Sequence, residues 1–218
     1  MSKSFNRTLP VLPGVASPSR VTELSCETIH EGFMDFRRLR LTHERFDGSM
    51  TPVIEREVCY RTYAVALILY DPATDRLVMI EQFRAAPYAA GRDPWMLEFV
   101  AGMVKDGENP VDVAIREAEE EAACTPRDVR HVYTMMPSPG GCTEVVEILF
   151  GLVDSTHLGG IHGLEEETED IRVHLVPADE AIALMDANRI VSGFTLLGLN
   201  WFARHRNSFR GTAPAPCT

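Results

Sequence analysis

The stretch from Asn109 to Ala123, NPVDVAIREAEEEAA, constrains the fold more than any other part of this chain. Asn109 suits a helix N-cap and Pro110 the first helical position. Val111, Ala114, Ile115, Ala118 and Ala122 then recur at helical spacing and form one apolar stripe, so the helix has to lie on a core. Glu117, Glu120 and Glu121 fall together on a flank of that stripe, while Glu119 points elsewhere and is expected to be solvated. Like charges at these spacings each cost a few tenths of a kcal/mol. They also stand in the C-terminal half of the helix, where the macrodipole disfavours anions, and Arg116 is the only cation among them. Two readings follow: a solvated acidic face, or carboxylates that a divalent cation neutralises. Hard oxygen ligands without Cys or His would select Mg²⁺, with Mn²⁺ as an alternative.

Around this helix the chain mixes strands and helices without a regular βαβ rhythm, which predicts an α+β fold. Residues 1–18, rich in proline and small residues, read as an extended arm. Residues 19–61 hold three alternating stretches, RVTELSCETIHEGF, MDFRRLRLTHERF and VIEREVCYRT, with Asp47-Gly48 as a turn between the last two. Three such strands form a small antiparallel sheet that is marginal alone, so it is expected to pack on the main domain or on a second subunit. The main domain spans 62–209. TYAVALILY, RLVMIEQF and PWMLEFVAG read as strands before the acidic helix; further strands are expected near 129–136, 144–153 and 171–176, then helices in PADEAIALMDAN and SGFTLLGLNWFARHR. Residues 210–218 read as a flexible tail.

A net charge of −11 disfavours nonspecific binding to nucleic acid or to an anionic membrane surface, and an anionic substrate would need cations between it and the protein. No apolar run approaches the ~20 residues of a membrane span, and the N-terminus lacks a signal-peptide core. The cysteines, Cys26, Cys59, Cys124, Cys142 and Cys217, are odd in number and show no zinc spacing; reduced thiols in the cytoplasm are expected.

The spacing Gly102, five residues, Glu108, seven residues, then REAEEEAAC resembles the Nudix box, G-x5-E-x7-R-E-U-x-E-E-x-G-U. Gly102, Glu108, Arg116, Glu117, Glu120 and Glu121 all match it. Ala123 departs by standing where the box has its last glycine, and Ala118 and Cys124 are smaller than the usual aliphatics. A left-handed exit from the helix would cost alanine roughly 1 kcal/mol, which leaves the route of the chain there open. IEQFR, WMLEFVAGM, SPGG followed by Glu144, and GIHGLEEETEDIRVH extend the resemblance to the ADP-ribose pyrophosphatase branch, over residues 20–206.

That resemblance implies a Nudix fold, an α/β/α sandwich with a mixed sheet, and a homodimer in which the N-terminal sheet is exchanged to complete the partner's site. It implies Mg²⁺-dependent hydrolysis of ADP-ribose to AMP and ribose 5-phosphate. Metal ligands would be Glu117, Glu121, Glu169 and the carbonyl of Ala101, with Glu120 a further or water-mediated ligand. Arg116 and Glu108 would orient the carboxylates, and Glu167 would be the general base. Arg84 would meet a phosphate or ribose. Phe33, with Met34 beside it, would stack on adenine. Arg56, Glu57 and Arg61 would reach across the dimer, and Met103, Ser138, Pro139, Gly140 and Glu144 would line the pocket. Pro139 takes the place, about fifteen residues past the box, of a proline that marks ADP-ribose hydrolases in this branch.

The residues by themselves leave plainer alternatives open. Glu165–Asp170 could be a solvated loop or a calcium site, Arg84 a surface strand residue and Phe33 hairpin core. Arg56, Glu57 and Arg61 could be cross-strand charges, and PSPGG a simple turn. Trp95 and Trp201 read as core or interface. At the level of function the rivals are a related nucleotide-sugar pyrophosphatase, for example for GDP-mannose, and a non-catalytic module that binds ADP-ribose.

Overall fold

The structure, a computed structural model, describes residues 2–4 and 18–209. The expected tail at 210–218 and most of the expected arm lie outside these residues. The chain divides into two compact units, Met1–Arg61 with Ser138–Glu144, and Thr62–Pro137 with Val145–Thr218.

The first unit is an antiparallel sheet of β1 (Ser2–Ser4), β2 (Arg20–His30), β3 (Asp35–His43) and β4 (Ile54–Tyr60), in that order. The three expected strands are present, and the arm contributes a fourth, short one along the outer edge of β2. At the β3–β4 turn, Asp47 Oδ1 accepts from the Ser49 N–H (2.9 Å) and from its hydroxyl (2.6 Å), which closes the turn at Asp47-Gly48. No residue of β2, β3 or β4 is buried. Leu24, Ile29, Phe36 and Val53 are all exposed.

The second unit is built on a mixed sheet. Its strands are β5 (Tyr63–Asp71), β6 (Arg76–Phe83), β7 (Trp95–Glu98), β8 (Val100–Val104), β9 (Arg127–Met135), β10 (Val145–Leu152), β11 (Gly160–His162) and β12 (Ile171–Pro177). The main order is β11-β12-β6-β5-β10-β9; β7 pairs with β6 and β8 with β5. Only the β5–β10 pair is parallel. PWMLEFVAG is thus two strands instead of one. The chain changes partner at Phe99, whose fully buried ring belongs to the opposite core layer.

Alternation along the central strands supplies both layers, because successive strand residues face opposite sides. Val65, Leu67, Leu69, Val78 and Ile80 meet Ala114, Ala118 and Ala122 of α2 (Pro110–Ala122) on one face. Ile68, Tyr70, Leu77 and Met79 meet Ala181 of α3 (Ala178–Asp186) and Leu199 and Phe202 of α4 (Gly193–His205) on the other. This is the expected α/β/α sandwich. A short helix, α1 (Ala85–Ala89), between β6 and β7, and the three-residue β11 had no sequence signal, being too brief to show a period. Among the described residues no helix is long and apolar enough to cross a membrane.

Candidate active site

The acidic helix starts as its sequence predicts: Asn109 Oδ1 accepts from the Val111 N–H at 2.9 Å, and Pro110 follows. Its buried arc is wider than the apolar stripe and shifted. Val113 is buried, Ile115 is only half-buried, and Glu121, 3% exposed, lies inside the arc. The helix ends with Ala123 in the left-handed region, φ 50°. The Ala123 N–H donates to Glu119 O and the Cys124 N–H to Ala118 O, both at 3.1 Å. The bond from the Ala123 N–H back to Glu119 O is that of a simple left-handed (αL) exit, made here by alanine, so the missing glycine changes the cost of the turn and leaves its route intact.

β8 runs beneath the carboxylates. The Ala101 N–H donates to Glu121 Oε2 at 3.1 Å. A β-carbon at position 102 would lie 2.1 Å from Glu117 Cδ, so only glycine leaves room for this side chain to cross the strand. Arg116 holds the outer pair, with Nη2 3.0 Å from Glu117 Oε1 and Nη1 3.2 Å from Glu120 Oε2. The guanidinium also feels the charge of Glu108, whose Oε2 accepts from the Lys105 N–H at 2.8 Å. Glu119 bonds the Thr125 hydroxyl on the exposed side, away from this set.

Burial pushes the Glu121 carboxyl up to about 8; the charges of Glu117 and Glu169 add to the rise, while the Ala101 N–H and Arg84 oppose it. Glu117 is raised to about 7 by burial, with Arg116 opposing and Glu120, Glu169 and Glu167 adding. The second acidic run is therefore within electrostatic reach of the helix. It forms a single 3-10 turn, Glu165–Glu167, and Thr168 follows in the left-handed region. Glu169 folds back so that Oε2 accepts from the Leu164 N–H at 3.1 Å. Gly163 is required there: its φ is +105°, and a β-carbon would sit 2.6 Å from that of Glu169. Glu167 is exposed and Glu169 half-buried.

Two further residues of this face escaped the sequence reading. Glu98, 3% exposed, accepts from Arg84 Nε at 2.8 Å and so fixes the guanidinium near Glu121. Gln82, 8% exposed, has no hydrogen-bond partner for Nε2. Glu98 interrupts an otherwise apolar stretch, a signal that could have marked it, whereas Gln82 follows Glu81 and carries no such mark. Met103, on β8, is exposed. A cavity of about 250 Å³ lined by Glu81, Trp95, Ile161, Asp170 and Arg172 belongs elsewhere. By alternation Glu81 shares a face with Leu77 and Met79, and its Oε2 is held by His174 Nε2 at 2.8 Å.

The remaining expected residues belong to the first unit. Phe33 is 79% exposed, which removes the hairpin-core alternative, and the Arg61 guanidinium lies 5.1 Å from its ring centroid. Arg61 Nε stands 3.5 Å from Glu144 Oε1. Met34 is exposed beside Phe33. Glu57 accepts from Arg38 across the strand pair at 3.2 Å, the plainer of its two expected roles, and Arg56 Nη1 donates to the Glu55 carbonyl at 2.7 Å. Ser138 O accepts from the N–H groups of Gly141 and Cys142, closing a turn that exposes Pro139 and Gly140.

As a metal centre the donor set fits in chemistry. Among the described residues no three carboxylate, imidazole or thiolate side chains already converge on one point. Glu117, Glu121 and Glu169 nevertheless feel each other's charge in a poorly solvated place, and a divalent cation is what would relieve that repulsion. The bare backbone at Gly102 keeps the Glu117 carboxylate in this set.

Comparison with known proteins agrees with this picture. A family model described as NUDIX domain matches residues 60–194. An ADP-ribose pyrophosphatase of Haemophilus influenzae is 42% identical over 178 residues, 80% of this chain and 82% of the relative. The ADP-ribose pyrophosphatase of Escherichia coli K12 is 38% identical over 199 residues, 91% and 95% of the two chains. A GDP-mannose pyrophosphatase of Citrobacter koseri is 28% identical over 184 residues, 84% and 94%. A solved structure described as an ADP compounds hydrolase superposes with TM-score 0.65 at 18% identity, covering 91% of this chain and all of that one; it bears on the fold alone.

Proposed function

This chain belongs to the NUDIX domain family, and on that premise we propose that it hydrolyses the pyrophosphate bond of ADP-ribose to AMP and ribose 5-phosphate. The observation that carries the reading is the retained carboxylate set: Glu121 buried and Glu117 half-buried beside Gly102, with Glu169 near enough to raise both and Glu167 near enough to raise Glu117. Relatives named ADP-ribose pyrophosphatase, at higher identity than the one named for GDP-mannose, support the substrate.

Glu117, Glu121, Glu169 and the Ala101 carbonyl would hold Mg²⁺, or Mn²⁺ in its place. The cation supplies charge neutralisation on two phosphates and on the leaving oxygen. The protein's own groups do the rest. Arg116 keeps Glu117 and Glu120 aligned through its two ion pairs. Arg84, steadied by Glu98, presents positive charge to a phosphate. Glu167 is the base: its exposed carboxylate takes a proton from the water that attacks phosphorus as the bridging P–O bond breaks. Its place on a loop would let it close over bound substrate and limit water to the one that attacks.

In the first unit the ring of Phe33 suits stacking on adenine. Met34, Arg56, Glu57, Arg61, Ser138, Pro139, Gly140 and Glu144 of this unit, and Met103 of the second unit, would be substrate contacts. Strands β2–β4, with no buried residue and with large exposed apolar side chains, present the surface expected of a subunit contact, and this supports a homodimer with exchanged sheets. The scattered cysteines support a cytoplasmic setting.

The test is turnover of a nucleotide-sugar panel with Mg²⁺ by the full chain. ADP-ribose should be cleaved fastest; faster cleavage of GDP-mannose or NADH would move the substrate assignment. No turnover of any diphosphate, with ADP-ribose still bound, would favour a binding module. A monomeric mass with full activity would rule out the exchanged sheet.

A further inference from the structure

Two cysteines that the hydrolytic chemistry leaves unused face each other beside the proposed substrate pocket. Cys59, near the end of β4, and Cys142, in the segment Ser138–Glu144, are partners in an isolated parallel bridge. The bridge is made by the Cys59 N–H to Gly141 O (2.8 Å) and the Thr143 N–H to Cys59 O (3.0 Å). Strands so paired lie about 4.8 Å apart, inside the roughly 4.4–6.8 Å Cα separation that a disulfide spans. Side chains of such a pair project to the same side of the bridge, and here the Cys142 thiol is near enough to act on the Cys59 thiol. The Glu144 N–H donates to Cys142 Sγ at 3.5 Å, which holds that sulfur in place. Both residues are half-buried, so a small oxidant can reach them.

We propose that Cys59 and Cys142 are a reversible thiol–disulfide pair that locks the segment Ser138–Glu144 onto β4. Cys142 reacts first, because burial and its neighbour push the Cys59 thiol up and keep it protonated. With hydrogen peroxide as oxidant, the Cys142 thiolate attacks one peroxide oxygen, the O–O bond breaks and hydroxide leaves. The resulting sulfenic acid is attacked by the Cys59 sulfur. The S–S bond forms, the S–O bond breaks, and water departs with the Cys59 proton. Two thiols lose two electrons and two protons, and one peroxide becomes two waters. A dithiol reduces the bond again by exchange. Cys124 takes no part, since it is buried and its thiol is pushed up to about 12 by burial. Such a pair also suits a reducing compartment, where the disulfides that do form are chiefly transient and redox-sensing.

The functional consequence rests on the proposed hydrolase reading, because the locked segment carries Ser138, Pro139, Gly140 and Glu144. In the reduced chain the described hydrogen bonds of this segment to β4 are the two backbone bonds above; just past β4, Arg61 adds its N–H to Thr143 Oγ1 (2.9 Å), its carbonyl as acceptor from the Thr143 hydroxyl (3.1 Å), and its pair with Glu144. A covalent lock removes its freedom to open, so oxidation slows substrate entry and product release.

The experiment is mild peroxide treatment of the full chain, followed by alkylation, digestion without reductant and mass mapping. The expected result is a peptide pair linked Cys59 to Cys142, lighter by two hydrogen atoms and released by dithiothreitol. Amide exchange across 138–144 should slow in step. ADP-ribose turnover should fall several-fold and recover on reduction, whereas Cys142→Ser and Cys59→Ser should not respond to peroxide. Recovery of the two cysteines as separate alkylated or over-oxidised residues, or linked to Cys26 or Cys217, would overturn the pair. A linked pair with unchanged turnover would overturn the lock. If the reduced chain cleaves no ADP-ribose, the hydrolase reading fails by itself, and mapping with amide exchange still decides the disulfide.

Discussion

Gly102 and Glu117 are fitted to one another: a β-carbon on the strand residue would stand 2.1 Å from the carboxyl carbon of the helix residue. The glycine that opens the box is therefore a matter of space and not of backbone conformation. Its φ is not among the positive values that mark several other glycines of the chain.

Gly102→Ala should push Glu117 off β8 and away from Glu121 and Glu169. Loss of a group that orients metal ligands typically costs about 10–100-fold in affinity or activity. We expect a loss of that order in turnover and in Mg²⁺ affinity, measured by titration, with a near-normal circular dichroism spectrum. Unchanged metal affinity would contradict the crowding argument.

Ala123→Gly should stabilise the chain, because Ala123 sits at φ 50° where glycine has no steric penalty. The gain should be about 1 kcal/mol, a Tm rise of roughly 2–4 °C for a chain of this size. Turnover should not change, since no ligand lies on that residue. A lower Tm would show that the exit is not strained.

The raised carboxyls give stability a definite dependence on pH. Their ordinary value is 4.5, whereas in the folded chain Glu117 lies at about 7 and Glu121 at about 8. The folded state keeps protons that the unfolded state has released. The stability these groups confer is complete below the ordinary value and is lost as pH rises through the two folded values. Melting with a chelator present should accordingly fall across that window, and Glu121→Gln should flatten the fall. Mg²⁺ replaces the protons, so its binding should release protons and tighten as pH rises, as calorimetry in buffers of different ionisation enthalpy will show.

Glu121→Gln and Glu167→Gln should separate metal holding from proton transfer. Glu121 is buried and bonded to the Ala101 N–H, so its variant should lose Mg²⁺ affinity together with activity. Glu167 is exposed on its turn, and its variant should keep Mg²⁺ affinity while kcat drops about 10²–10⁴-fold. Equal loss of metal by both variants would remove Glu167 from the role of base.

How much of this was legible beforehand follows from the range over which each cause acts. The start of α2 was, because Asn109 and Pro110 act within one turn, and so was its flank of carboxylates, because helical spacing alone groups Glu117, Glu120 and Glu121. The central strands were too, since β5 and β6 each hold an unbroken apolar run, Tyr63–Tyr70 and Leu77–Ile80. Break points were not: PWMLEFVAG reads as a single strand because nothing local says that Phe99 belongs to the opposite core layer. The partners of Arg84 and Glu57 were equally hidden, since Glu98 and Arg38 reach them only through strand pairing.

The sequence by itself determined which carboxylates this chain carries and which side of a helix they share, since spacing and charge are local properties. Only the tertiary structure decided their chemistry. Burial of Glu121 against β8, the gap left by Gly102 and the approach of Glu169 from a distant loop set the local dielectric and the charge neighbours. Those two quantities, and no feature of the helix taken alone, raise the carboxyls and make them a set that a cation can satisfy.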